Sequence, residues 1–270
     1  MYKAVTRKVR RRALAGAIVL AALAVLPDRA GAADLERETR ARGTLRIALE
    51  GTYPPFNFKD PKTGLLSGYD VEVARLLAAR LGLAPQFVFT EWTAILPAVQ
   101  SGKVDVAISQ VIITPEREAA FDFSAPYTYS SFQLIVRKNE RATYRSLDDL
   151  KGRILGVREG SVFAQRARLV PGIEVKGYPA VPENLQDLAF GRIDAVLDDS
   201  LMVGYLVNNT QLPIKAGPRI GGVERIGVVF RKDNPQFKAA VDRVLEEARA
   251  SGKLRALSIK WFGSDASRAP

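Results

Sequence analysis

Two α/β lobes of related topology, each built on a largely parallel sheet, are what this sequence predicts. Three observations carry the prediction. Apolar strand patterns alternate with amphipathic helix patterns from Leu45 to Ile108. The alternation stops and then restarts at Phe132, with a strand that no helix immediately precedes. One phrase also occurs in both halves, Gly102-Lys103-Val104-Asp105-Val106-Ala107 and Gly191-Arg192-Ile193-Asp194-Ala195-Val196. Each copy closes a helix on glycine and opens an apolar strand that carries one aspartate.

Leu45 to Leu49 alternates as a strand and ends in a Gly/Pro loop, Glu50 to Asn57 (EGTYPPFN); turn residues over 59–68 predict a hairpin. Tyr69 to Leu81 is apolar at positions 71, 73, 74, 76, 77 and 81, a helix with a broad buried face, and Gly82 ends it. Gln86 to Thr90 is a strand, Thr93 to Ser101 a helix packed through Ile95, Leu96 and Val99, and Val104 to Ile108 a third strand. Such a series predicts a parallel sheet with right-handed crossovers. The third strand runs through polar Ser109 and Gln110 into a helix start, with Thr114 as N-cap and Pro115 at the first helical position. Arg117 falls in that first turn, where the helix dipole disfavours a cation. It therefore needs an anion, either Glu116 or Glu118 beside it, or a ligand carboxylate gripped by two bonds.

In the second half, strands are expected at Phe132–Arg137, Ile154–Val157, Ile173–Tyr178 and Ile193–Asp198, with helices at 146–150, 161–169, 181–190 and 200–207. Ile226 to Phe230 is a further strand, and Asn234 to Ala250 and Leu254 to Trp261 are helices. No low-complexity tether separates the halves, so the chain crosses between lobes through ordered strands. Open α/β sheets bind ligands beyond the carboxyl ends of their strands. The polar residues there come from both halves: Glu50, Tyr53, Glu91, Trp92, Ser109, Gln110, the Arg158–Ser161 stretch, Asp198 and Asp199. A ligand that bridges two lobes is the expectation, with Arg158 and Glu159 able to pair with each other.

A basic start (Lys3, Arg7, Lys8, Arg10 to Arg12), an apolar run from Ala13 to Leu26 and Ala30-Gly31-Ala32 read as a cleaved secretory signal over 1–32. That segment holds seven of the 40 basic and one of the 29 acidic residues, so 33 basic and 28 acidic residues remain after cleavage, net +5. Such mild charge, without a basic block, does not point to nucleic acid. With no cysteine there is no disulfide framework, zinc–thiolate site or thiol nucleophile; with no histidine the commonest general base and metal ligand is missing.

The chain resembles the polar-amino-acid-binding proteins of ABC importers, the smaller periplasmic binding proteins with a two-lobed (type II) fold. The likeness rests on Gly68-Tyr69-Asp70-Val71-Glu72-Val73-Ala74, Ile113-Thr114-Pro115-Glu116-Arg117, Asp122-Phe123-Ser124, Pro126-Tyr127, Gly191-Arg192-Ile193-Asp194-Ala195 and Lys260-Trp261-Phe262-Gly263, in that order. It implies a lobe of 33–126 with 227–270, a second lobe of 132–221, and hinges at 127–131 and 222–226. It also implies roles. Arg117 would hold the ligand carboxylate with the Ile112 amide and Ser161, and Asp199 would hold the ammonium with Ser109 assisting. Tyr53 and Trp92 would line the side-chain pocket, and Glu50 would meet a distal cation. Each has a structural alternative: Tyr53 and Trp92 as core aromatics, Asp199 and Ser161 as helix caps, Gln110 as a brace for its loop, Glu50 as a strand-end carboxylate satisfying backbone N–H groups. Ile112 stands where the family usually has Thr or Ser, which removes a hydroxyl worth about 1 kcal/mol. The stretches Leu49–Phe56, Glu91-Trp92, Gln110-Val111 and Trp261–Asp265 look most like the cystine-binding branch, with a basic amino acid as the other ligand class. The resemblance thus implies a monomeric periplasmic receptor with an amino-acid ligand, an ABC permease partner, no cofactor or metal and no catalysis. Two alternatives use the same fold: a cyclohexadienyl dehydratase with Glu50, Glu91 or Glu159 as acid or base, and a ligand sensor.

Overall fold

Described in the structure, a computed structural model, are residues 34–270. The predicted signal, 1–32, lies outside them. The described residues open on a helix that the apolar pattern did not announce, α1 (Leu35–Arg42), because only Leu35 and Thr39 of it are buried. Asp34 caps it by accepting from the Glu36 and Arg37 amides, and Gly43 ends it in a left-handed conformation.

β1 (Thr44–Leu49) follows, and the Gly/Pro loop then folds into a three-stranded sheet of β2 (Thr52–Tyr53), β3 (Asn57–Lys59) and β4 (Leu66–Ser67). Next come α2 (Tyr69–Leu81), β5 (Ala84–Phe89), α3 (Trp92–Gln100), β6 (Val106–Ala107), α4 (Pro115–Ala120) and β7 (Phe121–Phe123). β8 (Thr128–Arg137) leads into the second half. There a 3₁₀ turn (Leu147–Leu150) precedes β9 (Ile154–Arg158), α5 (Val162–Arg168), β10 (Glu174–Tyr178), α6 (Val181–Ala189), β11 (Ala195–Asp199) and α7 (Ser200–Asn209). β12 (Ile214–Ile226) returns the chain to β13 (Val229–Arg231), α8 (Pro235–Ala250) and α9 (Lys253–Phe262).

Two five-stranded sheets result, ordered β5-β1-β6-β13-β7 and β10-β9-β11-β8-β12. In both, the first three strands are mutually parallel and the last two run against their neighbours. The internal repeat read from the Gly-basic-apolar-Asp phrase is therefore a repeat of topology. The sheets are mixed rather than wholly parallel. β13 enters directly from β12, with only Gly227 and Val228 between them and no crossover helix to bring it round. β12 was foreseen only at its end, because Gly217, Pro218, Gly221 and Gly222 break its alternation. The strand absorbs them as register shifts between Ala216 and Arg219 and between Ile220 and Val223.

The segments that cross between the sheets lie side by side: Thr128, Tyr129, Ser130 and Ser131 pair antiparallel with Ile226, Arg225, Glu224 and Val223. Leu45, Leu77, Phe230 and Phe237 pack the first lobe and Leu134, Leu155, Leu188 and Val196 the second, all essentially fully buried. Each such side chain contributes about 1.5–3 kcal/mol by leaving water. Among the described residues no helix is long and apolar enough to cross a membrane.

Candidate functional site

Asp70, in the first turn of α2, organises the site from beneath. It is fully buried and accepts from Asn57 Nδ2 at 3.1 Å, Gln110 Nε2 at 2.8 Å and the Tyr127 hydroxyl at 2.9 Å. Asn57 in turn accepts from the Gly51 amide and donates to Ser109 Oγ at 3.3 Å. This cluster ties the loop after β1 to the loop after β6. It holds Gln110 in a left-handed conformation (φ 52°), uncommon outside glycine. Burial raises Asp70 to about 6, against the pull of its three donors. Gln110 thus braces its loop, while its Oε1 is buried with no partner among the described residues.

Arg117 lies where the α4 N-terminus predicted it, with its own amide donating to the Thr114 cap at 3.3 Å. Its side chain turns inward, not toward Glu116 or Glu118. It is 9 % exposed, donates from Nη1 to the Ile112 carbonyl at 2.9 Å, and its Cζ stands 5.7 Å from the centre of the Trp92 ring. Among the described residues it makes no ion pair. Burial, then repulsion by Arg158, lowers its pKa to about 10, so it stays charged at neutral pH. Ile112 is held by a bridge to Ile226, with the Ile113 amide donating to the Arg225 carbonyl at 2.8 Å.

Asp199 ends β11 and caps α7, accepting from the Leu201 amide at 2.8 Å. It too is buried and, among the described residues, has no cationic partner; burial lifts its pKa to about 7. Beside it, Asp198 accepts from the Tyr53 hydroxyl at 2.6 Å, a bond that joins the two lobes, while its Oδ2 has no partner among the described residues. Tyr53 itself is fixed from behind by a run of rings: Phe56 at 4.9 Å, then Phe262 at 5.6 Å, then Tyr69 at 4.8 Å. The Lys260-Trp261-Phe262-Gly263 motif thus positions the site without belonging to it.

Between the lobes lies Arg158, at the end of β9. Its guanidinium pairs with Glu50 of the first lobe and stands 4.3 Å from the ring centres of both Tyr53 and Trp92. Burial opposes its charge, but Glu50, Tyr53 and Asp198 more than offset that, and its pKa is raised. Burial pushes the Glu50 carboxyl up while Arg158 pulls it back. Arg158 does not pair with Glu159, whose partner is Arg168 at 2.6 Å near the surface. Ser161 caps α5, accepting from the Ala164 amide at 3.1 Å and donating to the Arg158 carbonyl. A cavity of about 180 Å³ opens beside Glu50, lined by Thr52, Thr90, Glu91 and, from the other lobe, Ala180. A second, of about 300 Å³, lies beside the paired strands β8 and β12 and touches none of the predicted site residues. Among the described residues no group of His, Cys, Asp and Glu is placed to hold a metal ion.

The sequence model of the bacterial extracellular solute-binding proteins, family 3, matches residues 45–264. The chain belongs to this family. It is 38% identical to the L-cystine-binding protein TcyJ of Escherichia coli K12 over 260 residues, 96% of this chain and 97% of the other. Among solved structures, an ancestral arginine-binding protein bound to arginine superposes with a TM-score of 0.77 at 37% identity, covering 82% of this chain and 99% of that one. AncCDT-1, an ancestral amino-acid-binding protein and precursor of cyclohexadienyl dehydratase, superposes with a TM-score of 0.78 at 33% identity, covering 84% and 99%. The two-lobed type II fold is thus that of the family.

In this solute-binding protein the predicted Glu50, Tyr53, Trp92 and Arg117 meet in one interlobe cluster, with Asp199 joined to it through Asp198. Ser109 and Gln110 support the loop that carries Ile112, and Ser161 is engaged as a cap. Sequence reasoning missed Asp70 as the hub, Asp198 as the partner of Tyr53, and Arg158 as the residue between the rings. Asp70 sat inside the recognised signature stretch, and Asp198 stood next to a residue already chosen. Arg158 was expected only as a companion of Glu50 toward the second end of a cystine ligand, or paired with Glu159. The pairing with Glu50 is seen, and its seat against the two rings had no signal beyond a strand end.

Proposed function

We propose that this chain is a periplasmic receptor that captures a polar amino acid between its lobes and delivers it to an ABC permease, without catalysis. The observation that carries this reading is a buried guanidinium, Arg117, and a buried carboxylate, Asp199, with no countercharge among the described residues. Burying an unpaired charge costs several kcal/mol, and proteins keep such groups where a ligand completes them. A zwitterion supplies both missing partners at once. Its carboxylate takes Arg117, its ammonium takes Asp199, and Tyr53 and Trp92 bound the side chain. The paired strands at 127–131 and 222–226 serve as hinges between lobes 33–126 with 227–270 and 132–221, and ligand contacts made by both lobes favour the closed form.

Binding without chemistry fits the state of two of the three glutamates a dehydratase would draw on, the third, Glu91, lining the small cavity beside Glu50. Glu50 is engaged by Arg158, and Glu159 is engaged by Arg168 at the surface. The similarity to L-cystine-binding and arginine-bound relatives supports an amino acid as ligand, and the family as a whole is extracellular. A thermal-shift screen of the twenty amino acids and cystine on the mature protein tests the reading, and at least one ligand is expected to raise the melting temperature. Arg117→Ala is expected to weaken that ligand by about 100-fold or more while leaving the melting temperature without ligand unchanged or higher, because a buried unpaired charge is removed. Normal binding by the variant would end the carboxylate role.

A further inference from the structure

Resting on the amino-acid reading above, the geometry points to Arg158 as a built-in occupant of the place a basic side chain would take, and so as the residue that turns this receptor away from cationic amino acids. Two aromatic faces and a buried carboxylate make a good receptacle for a guanidinium or ammonium group. Here Tyr53, Trp92 and Glu50 form such a receptacle on the first lobe, and the second lobe fills it with the chain's own guanidinium, 4.3 Å from each ring centre and 2 % exposed. An incoming cation has two courses. It displaces Arg158 from the carboxylate and both rings, or it lies beside Arg158 as a like charge in a buried site. Both oppose binding.

The same arrangement favours a ligand that ends in acceptors. Arg158 Nε is buried with no partner among the described residues, so the guanidinium keeps one donor to offer. Asp198 Oδ2, likewise unpartnered, offers an acceptor on the same side of the lobe interface, next to the Tyr53 bond. An amide or a second zwitterionic end meets both and a carboxylate meets Nε; a lysine or arginine side chain finds Glu50 filled and reaches only Asp198 Oδ2, with Arg158 beside it as a like charge. The rival account is that Arg158 and Glu50 merely strut the lobes together. In that case removing Arg158 weakens every ligand alike, whereas a specificity role changes their order.

Calorimetric titration of L-arginine, L-lysine, L-glutamine and L-cystine into the mature protein, Arg158→Ser, and the double variant Arg158→Ser with Glu50→Gln separates the two. The wild-type protein is expected to bind an acceptor-bearing ligand, glutamine or cystine, at least about 10-fold more tightly than arginine or lysine. Arg158→Ser is expected to gain arginine affinity by about 10-fold or more, because Glu50 is then unpaired and both rings are vacated, and the double variant to lose that gain. Should Arg158→Ser fail to fold, Arg158→Gln, close in size and neutral, is read in the same way. Arginine as the best wild-type ligand, or a parallel loss of all ligands in the Arg158 variants, overturns the proposal. Binding of none of the four by any of the proteins overturns this proposal, and the amino-acid reading falls with it only if the screen of all twenty amino acids and cystine is also blank.

Discussion

On the proposed reading, Asp199 serves fold and ligand together. Its carboxylate caps α7 and lies buried beside Asp198, with its pKa lifted to about 7 from an ordinary 3.8. Between about pH 4 and 7 the folded chain therefore holds a proton that the unfolded chain has released, and without ligand this group's contribution to stability falls as pH rises through that window. A ligand ammonium favours the ionised carboxylate, so below pH 7 binding releases a proton and affinity rises as pH goes from about 5 to 8. Asparagine caps helices as well as aspartate does. Asp199→Asn is thus expected to keep the fold, to lose about 2–3 kcal/mol of binding, and to flatten the pH dependence, as read by calorimetry at pH 5 and pH 8. Collapse of the variant would assign Asp199 to structure alone.

At the scale of elements, the site depends on how α2 meets two loops. Gly68 precedes the helix at φ 127°, where a Cβ would come within 2.2 Å of the Phe56 carbonyl oxygen, so only glycine lets the chain turn there and bury Asp70. Asp70 then gathers the donors of Asn57, Gln110 and Tyr127, one from each of three segments. Asp70→Ala leaves those three buried donors unmatched. A loss of about 3 kcal/mol or more in urea unfolding is expected, with ligand binding weakened through the displaced 109–112 loop. A variant of wild-type stability would mean that water or rearranged side chains satisfy those donors.

For the whole molecule the question is what holds the lobes together. The Tyr53 hydroxyl to Asp198 and Arg158 to Glu50 are polar links from the Glu50–Asn57 segment of the first lobe to the strand ends of the second sheet. Tyr53→Phe keeps the ring against Arg158 and removes only the hydroxyl bond. It is expected to weaken the ligand by about 1–2 kcal/mol and, by small-angle scattering, to enlarge the radius of gyration of the protein without ligand. An unchanged radius would place the balance of the two lobes in the β8–β12 ribbon instead.

By itself the sequence determined the elements whose cause is local. Tyr69–Leu81 follows from its apolar face and Gly82, and the start of α4 from Thr114 and Pro115. The twofold topology follows from a repeated phrase, and the site candidates from polar residues at strand ends. The antiparallel strands, the full length of β12 and the partners of the buried charges were decided by the tertiary structure. Asp70 and Asn57 are 13 residues apart, Glu50 and Arg158 are 108, and Tyr53 and Asp198 are 145. Whether a strand-end arginine faces water or two aromatic rings depends on where the opposite lobe comes to rest. No periodicity within either segment encodes that.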